Sequence, residues 1–255
     1  MPPMRFASLG SGSRGNAALV ESGDACVMVD CGFSVREVCR RLAVLGRAPT
    51  DLSAILVTHE HSDHASGVLP LARRFGIPVL MTAGTARATG VESGDPVEVI
   101  TSGARVELAG IGVEAVAVPH DAREPVQYIF TVADIKLGIL TDLGSVTPFV
   151  VERFRHCRGL LLEANHDGAL LAEGPYPDVL KHRVGGDWGH LSNAQTADLL
   201  RRLGRDALRT LVVGHISQKN NSLELVRRAL AQVTGHLDRV VYASQDEGFG
   251  WQELC

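Results

Sequence analysis

The residues best equipped for chemistry in this 255-residue chain stand together in Thr58-His59-Glu60-His61-Ser62-Asp63-His64. Four metal-competent side chains, His59, His61, Asp63 and His64, fall within six residues, directly after the apolar run Ala54-Ile55-Leu56-Val57. A strand that ends in such a turn can aim several imidazoles and a carboxylate into one small space. Neutral imidazole and carboxylate suit a hydrolytic cation such as Zn²⁺ or Mn²⁺. Other apolar runs end in the same kind of residue: Val29 before Asp30, Pro119 before His120, Thr141 before Asp142, Leu162 before Glu163 and Gly214 before His215. In α/β sheets sites collect at strand ends, because the sheet is a rigid platform and the loops beyond it are free to vary. Six such ends imply a shared cavity.

The elements that would position these residues read as an α/β chain. Strands are predicted over Arg5–Leu9, Ala17–Glu21, Ala25–Asp30 and Ile77–Met81, and a strand-bearing stretch from Thr50 leads into the His-rich turn. Ser34, with Glu37 three residues on, predicts a capping box for a helix through Leu45. Ala65–Phe75 reads as a helix stopped by Gly76, and Thr82–Gly94 as helix and loop. From Val97 to Leu140 the pattern turns β-rich: Val97–Ile100, Arg105–Leu108, Ile111–Val118, Val126–Val132 and Ile135–Leu140. Gly159–Glu163, Thr210–Val213, Val240–Ala243 and Phe249–Gln252 are further strands. Apolar residues at three- and four-residue steps predict helices over Asn193–Leu203 and Leu223–Val233. No linker, repeat or low-complexity segment interrupts the chain, so residues 1–255 are read as one domain.

Bulk composition sets limits. A hydrophobic content of 45% is ample for a core, and a net charge of −4 gives no strong field. That weighs against avid, non-specific binding to nucleic acid, which runs mainly on Lys and Arg contacts to phosphate. The cysteines (Cys26, Cys31, Cys39, Cys157, Cys255) show no framework spacing, which predicts reduced thiols in a cytosol. Cys31 is read as a buried small hydrophobe despite following Asp30. No apolar run approaches the ~20 residues that span a bilayer, so no membrane partner and a cytoplasmic location are expected. Trp188 and Trp251 are read as packing residues, and His156, His182 and His236 as exposed.

The pattern His-x-His-x-Asp-His resembles the signature of the metallo-β-lactamase superfamily. The segments Gly-Ser-Arg-Gly-Asn16, Glu163-Ala-Asn165-His166-Asp167, Gly-Pro-Tyr-Pro177, Gly189-His190-Leu-Ser-Asn193 and His215-Ile-Ser217-Gln-Lys-Asn220-Asn221 are similar to its WalJ/YycJ-like bacterial branch. The resemblance implies an αβ/βα four-layer sandwich and two divalent metal ions, Zn or Mn. It assigns His59, His61 and His120 to one metal, Asp63, His64 and His215 to the second, and Asp142 as the bridge. Asp63 is also counted as catalytic, and Asp30 would orient an imidazole or the His-rich loop. The branch implies 5′→3′ exonuclease action on DNA, and there is no room for an inserted β-CASP domain. The absence of a Cys ligand argues against antibiotic hydrolysis. An all N/O pair of metals ~3.5–4 Å apart suits a phosphodiester, clamping both oxygens and acidifying a bridging water. The alternative is a small-ester or thioester hydrolase of the glyoxalase or lactonase type. Gln218 and Lys219 depart from the branch, which is expected to carry acidic residues there.

The same resemblance names residues beyond the metals. His190 matches the His of a ribonuclease Z segment that is held and kept protonated by a Glu, so His190 becomes the general acid and Glu163 its partner. Two alternatives stay open: His190 merely precedes a helix capped by Ser192 or Asn193, or His166 is the acid. Ser13 and Asn16 sit in a Gly/Ser loop that is either a plain hairpin or an anion contact. Ser217, Asn220 and Asn221 form either a cradle for a 5′-phosphate or the lead-in to a helix capped by Ser222. Asn165 and His166 complete the expected substrate contacts.

Overall fold

A computed structural model describes residues 2–204 and 206–254. The strands are β1 Met4–Gly10, β2 Ala17–Ser22, β3 Ala25–Val29, β4 Ala54–Leu56, β5 Val79–Thr82, β6 Val97–Ile100 and β7 Arg105–Leu108. They continue as β8 Ile111–Ala117, β9 Val126–Val132, β10 Ile135–Leu140, β11 Gly159–Glu163, β12 Thr210–Gly214, β13 Arg239–Tyr242 and β14 Phe249–Leu254. The helices are α1 Val35–Val44, α2 Ser62–Ala65, α3 Val68–Phe75, α4 Ala83–Thr89, α5 Pro148–Phe154, α6 Gly168–Glu173, α7 Asp178–Gly185, α8 Asn193–Leu203 and α9 Leu223–Thr234. Strand order gives two mixed seven-stranded sheets, β14-β1-β2-β3-β4-β5-β6 and β13-β12-β11-β10-β9-β8-β7, with flanking helices as the αβ/βα reading requires. By backbone contacts the chain divides into two compact units: Met1–Ala117 with Ala122–Ile135 and Ser244–Cys255, and Val118–Asp121 with Lys136–Ala243.

In the first unit β1, β2 and β3 form an antiparallel meander, and β3 to β6 run parallel. Strands buried on both faces need near-continuous apolar runs rather than alternation, and β2, β3, β4 and β5 are buried throughout. Leu19, Met28, Ile55 and Val79 share a core with Val38 and Leu42 of α1 and Leu71 and Ala72 of α3. Ser34 caps α1 by accepting from the Glu37 N–H. The capping box stops there: the Glu37 carboxylate turns instead to Arg40 and Arg41, whose hydrogen bonds hold it near 2. The helix expected over Ala65–Phe75 is broken at Ser66-Gly67, where the Gly67 N–H donates to the Cys31 carbonyl at 2.7 Å rather than within a helix; only glycine fits there, since a Cβ would lie 2.0 Å from the Phe33 carbonyl oxygen. Gly76, at φ 68°, ends α3 as expected.

In the second unit β10, β11, β12 and β13 are parallel and in register, Leu140 beside Leu162, Leu162 beside Val213, and Val213 beside Tyr242. Their C-terminal ends therefore lie in a row, and the residues just beyond them are carried on one edge. Three helices here had no counterpart in the sequence reading: α5, α6 and α7. Two carry local start signals, Thr147 accepting from Val150 N–H ahead of Pro148, and Asp167 accepting from Ala169 and Leu170 N–H. α7 buries no residue, so no apolar stripe announces it. Ser192 and Gln195 form a full capping box on α8, and Ser222 caps α9.

Cys26, Cys31 and Cys157 are buried, and burial pushes each thiol up to about 12, as inert core groups. Cys255 lies outside the described residues. Among the described residues no helix is long and apolar enough to cross a membrane.

β10 delivers Asp142, and its packing tolerates no extra atom at Gly138. A Cβ there would meet Leu160 and Phe154 side-chain carbons at 2.6 Å. Gly138→Ala is expected to cost ~1–3 kcal/mol through overpacking, read as a lower urea midpoint with an unchanged m-value.

Candidate metal centre

The site residues of the first unit are organised by one buried carboxylate. Asp30, just past β3, accepts the Thr58 N–H, the Thr58 hydroxyl and His64 Nδ1, each at 2.8 Å. Burial pushes its carboxyl up, opposed by His64 and the two Thr58 donors. Because the Thr58 hydroxyl proton goes to Asp30, the oxygen is left to accept from His59 Nδ1, 2.9 Å away. Both histidines then carry their proton on Nδ1 and present Nε2 as a lone pair, the form that ligates a metal. His59 Nε2 lies 3.0 Å from His61 Nδ1, and His64 Nε2 lies 3.5 Å from Asp63 Oδ2. Two histidines with tied outer nitrogens, a third beside them and a carboxylate fit a hard or borderline cation.

The Gly/Ser loop closes on the same place. Asn16 Oδ1 accepts the Gly12 N–H, and its Nδ2 reaches Gly12 O at 3.1 Å and His64 Nε2 at 3.0 Å. Its backbone N–H donates to Asp63 O at 2.8 Å. Asn16 thus braces the ligand loop, while Ser13 is solvent-exposed. Gly32 permits the approach: a Cβ there would fall 1.8 Å from Asp63 O. Cys31 is fully buried, with Sγ on the Phe33 carbonyl rather than on the site.

In the second unit a carboxylate again sets the geometry. Glu163, the buried last residue of β11, accepts the Leu143 and Leu191 N–H groups on Oε1 at 2.6 and 3.2 Å. Its Oε2 faces His190 Nδ1 at 3.1 Å and His215 Nδ1 at 3.7 Å, the second an ionic contact too long for a hydrogen bond. Burial raises its carboxyl, but the His190 and His215 contacts outweigh that and hold it at about 2. His120 gives Nδ1 to the Gly189 carbonyl at 3.0 Å, leaving Nε2 as its lone pair. Ligand atoms of Asp142, His190 and His215 lie within 4.8 Å of one another, with Asp142 Oδ1 3.7 Å from His190 Nδ1 and 3.7 Å from His215 Nε2.

Three site residues occupy the left-handed backbone region, where non-glycine residues are rare: Asp30 (φ 61°), Asp142 (φ 53°) and His215 (φ 50°). Asp30 and His215 directly follow a strand, and Asp142 stands two residues past one. Nothing in the sequence marks this beyond the known tolerance of Asp and His for that region.

The expected substrate contacts divide. Asn165 Nδ2 donates to His215 O at 3.0 Å, and Asn221 Nδ2 donates to Ala164 O and to Asn193 Oδ1, both at 2.9 Å. These amides brace the loops after β11 and β12. Ser217 Oγ accepts the Asn220 N–H at 3.1 Å. His166 is buried, its Nδ1 meets no partner among the described residues, and burial pushes its imidazole pKa down. Neither Trp188 nor His236 is as expected: Trp188 is 63% exposed, and His236 is half-buried with both ring nitrogens enclosed. Trp251 does pack, under Arg5 and with its indole N–H on Leu45 O at 3.1 Å.

The family model described as the metallo-beta-lactamase superfamily matches residues 10–166. The chain belongs to that superfamily, in its WalJ/YycJ-like branch. It is 34% identical over 240 residues to exodeoxyribonuclease WalJ of Streptococcus pneumoniae, covering 92% of this chain and 89% of that protein. It is 32% identical over 251 residues to exodeoxyribonuclease YycJ of Bacillus anthracis, covering 97% and 91% respectively. The crystal structure of the metallo-beta-lactamase fold protein YhfI from Bacillus subtilis shares the fold at a TM-score of 0.76, with 16% identity over 98% of this chain and all of that one. The protein is a hydrolase with a His/Asp metal site.

Asp30 should govern metal affinity without touching the metal. Asp30→Asn keeps the backbone turn but removes the charge and one acceptor. Chelator competition should show metal binding weakened about 10–100-fold, with an unchanged far-UV circular dichroism spectrum.

Proposed function

We propose that the protein is a binuclear metal-dependent phosphodiesterase, a 5′→3′ exonuclease acting on DNA. In this reading His59, His61 and His120 hold one ion, Asp63, His64 and His215 the second, and Asp142 bridges them, within one functional domain of the cytoplasm. Bound there, two divalent cations of the Zn or Mn type supply the Lewis acidity that polarises a phosphoryl group and lowers the pKa of water. The relatives whose names state exodeoxyribonuclease activity support DNA as the substrate.

The observation that carries the reading is the His190–Glu163 pair. Cleaving a phosphodiester expels an alkoxide, which departs far more readily when protonated. Glu163 is tied by two backbone N–H groups, so its Oε2 is held in place to orient His190 through Nδ1. His190 is partly exposed and can receive a leaving group; His166, the rival acid, is buried and disfavoured as a cation. A thioester or small-ester hydrolase has a better leaving group and gains little from this pair.

The test is a panel of 5′-phosphorylated single- and double-stranded DNA, RNA, bis-p-nitrophenyl phosphate and a thioester, given to protein carrying close to two metal equivalents per chain. DNA should be degraded from its 5′ end, and chelation should abolish turnover. His190→Ala should keep both metals, lose about 10²–10⁴-fold on DNA and recover on the p-nitrophenyl ester. Loss of metal in that variant would move His190 to the ligands; a near-normal His190→Ala with a crippled His166→Ala would move the acid to His166.

A further inference from the structure

The chain has two tryptophans, and they are used in opposite ways. Trp251 has its ring under the Arg5 guanidinium at 4.4 Å and its N–H on a carbonyl. Trp188 has neither: among the described residues no ring or cation stacks on it and no acceptor takes its N–H. Isolated exposed hydrophobic residues are common and need no function. What distinguishes Trp188 is where its backbone is held. The carbonyl of the next residue, Gly189, fixes His120, and the residue after that is His190 on Glu163.

The segment is also rigid. Gly189 N–H donates to Gly186 O at 2.9 Å, and His190 N–H donates to Val184 O at 2.8 Å. A Cβ on Gly189 would fall 2.2 Å from the Arg183 and Val184 carbonyl oxygens, and one on Gly144 would fall 2.5 Å from the Trp188 Cα. Backbone is thus packed closely on backbone around residues 188 and 189, while the Trp188 side chain is exposed. A large apolar plane, unoccupied on its faces and held two residues from the acid, suits a flat π-system on a ligand. Of the groups on a nucleic acid only the base offers one, and every base does.

We propose that the Trp188 indole is the platform on which a nucleobase of the substrate strand stacks beside the phosphate being cut, a role that rests on the phosphodiesterase reading above. Stacking would give sequence-tolerant grip on single-stranded ends, because it uses a face that all bases share. It would also favour unpaired over duplex ends, whose bases are already stacked on one another.

The test uses the metal-loaded protein and 5′-phosphorylated single-stranded oligonucleotides, intact or abasic at the nucleotides flanking the first scissile phosphate. Trp188→Ala should lose about 5–100-fold in kcat/KM on the intact strand. That loss should shrink to near nothing on the abasic strand, which the wild type should itself cut poorly. Trp188→Phe should restore most of the rate. Independently of turnover, a non-cleavable phosphorothioate oligothymidylate should quench the wild-type indole fluorescence, and Trp188→Phe should lose the quench because Trp251 is already stacked against Arg5 with its N–H bonded. An equal loss on intact and abasic strands, or no loss and no quench while the wild type cuts DNA normally, overturns the platform. A wild type that neither cuts nor binds any oligonucleotide overturns the phosphodiesterase reading instead.

Discussion

A carboxylate shut away at the end of a central strand is costly unless donors replace its water. At Asp30 the donors are the Thr58 amide, the Thr58 hydroxyl and His64. They lie at the two ends of the His-x-His-x-Asp-His stretch, so satisfying one carboxylate fixes both ends of the ligand loop. The same contacts choose the imidazole tautomers at positions 59 and 64. Fold and ligand chemistry are therefore one event here: the loop cannot leave its conformation without stranding a buried carboxyl group.

The second unit solves the same problem with Glu163, but with different donors. Two backbone amides, from loops far apart in sequence, hold one oxygen, and imidazoles face the other. Around it Asn221 and Asn193 exchange side-chain hydrogen bonds, and Asn221 also donates to the Asn165 carbonyl. An asparagine side chain offers both donor and acceptor, so it can splice irregular backbone that no strand ladder reaches. That gives the segment a structural use for its Asn residues.

The strands were legible because both faces of β2 to β5 and of β11 and β12 are buried, which forces unbroken apolar runs into the sequence. Helices α5, α6 and α7 were not: they are at most eight residues long, and α7 has no buried face to leave a periodic trace. The break at Gly67 was hidden for another reason, since it is imposed by Cys31 and Phe33, more than thirty residues earlier in the chain. At the site, the residue types and their strand-end positions could be read directly. The hydrogen bonds of Asn16 to Gly12 and His64 could not, because loop composition does not show which neighbours a side chain meets. The exposure of Trp188 was equally invisible, because composition does not tell which tryptophan meets a neighbour.

The left-handed turns at positions 30, 142 and 215 also limit what the centre can become. A β-branched or bulky replacement there meets its own carbonyl, and even an ordinary L-residue is strained by ~1–2 kcal/mol; Asp, Asn, His and Gly adopt the turn most easily. A thiolate ligand at 142 or 215 would carry that penalty before any metal arrived. At these strand ends the curvature of the chain thus suits the compact carboxylates and the imidazole that the sequence places there.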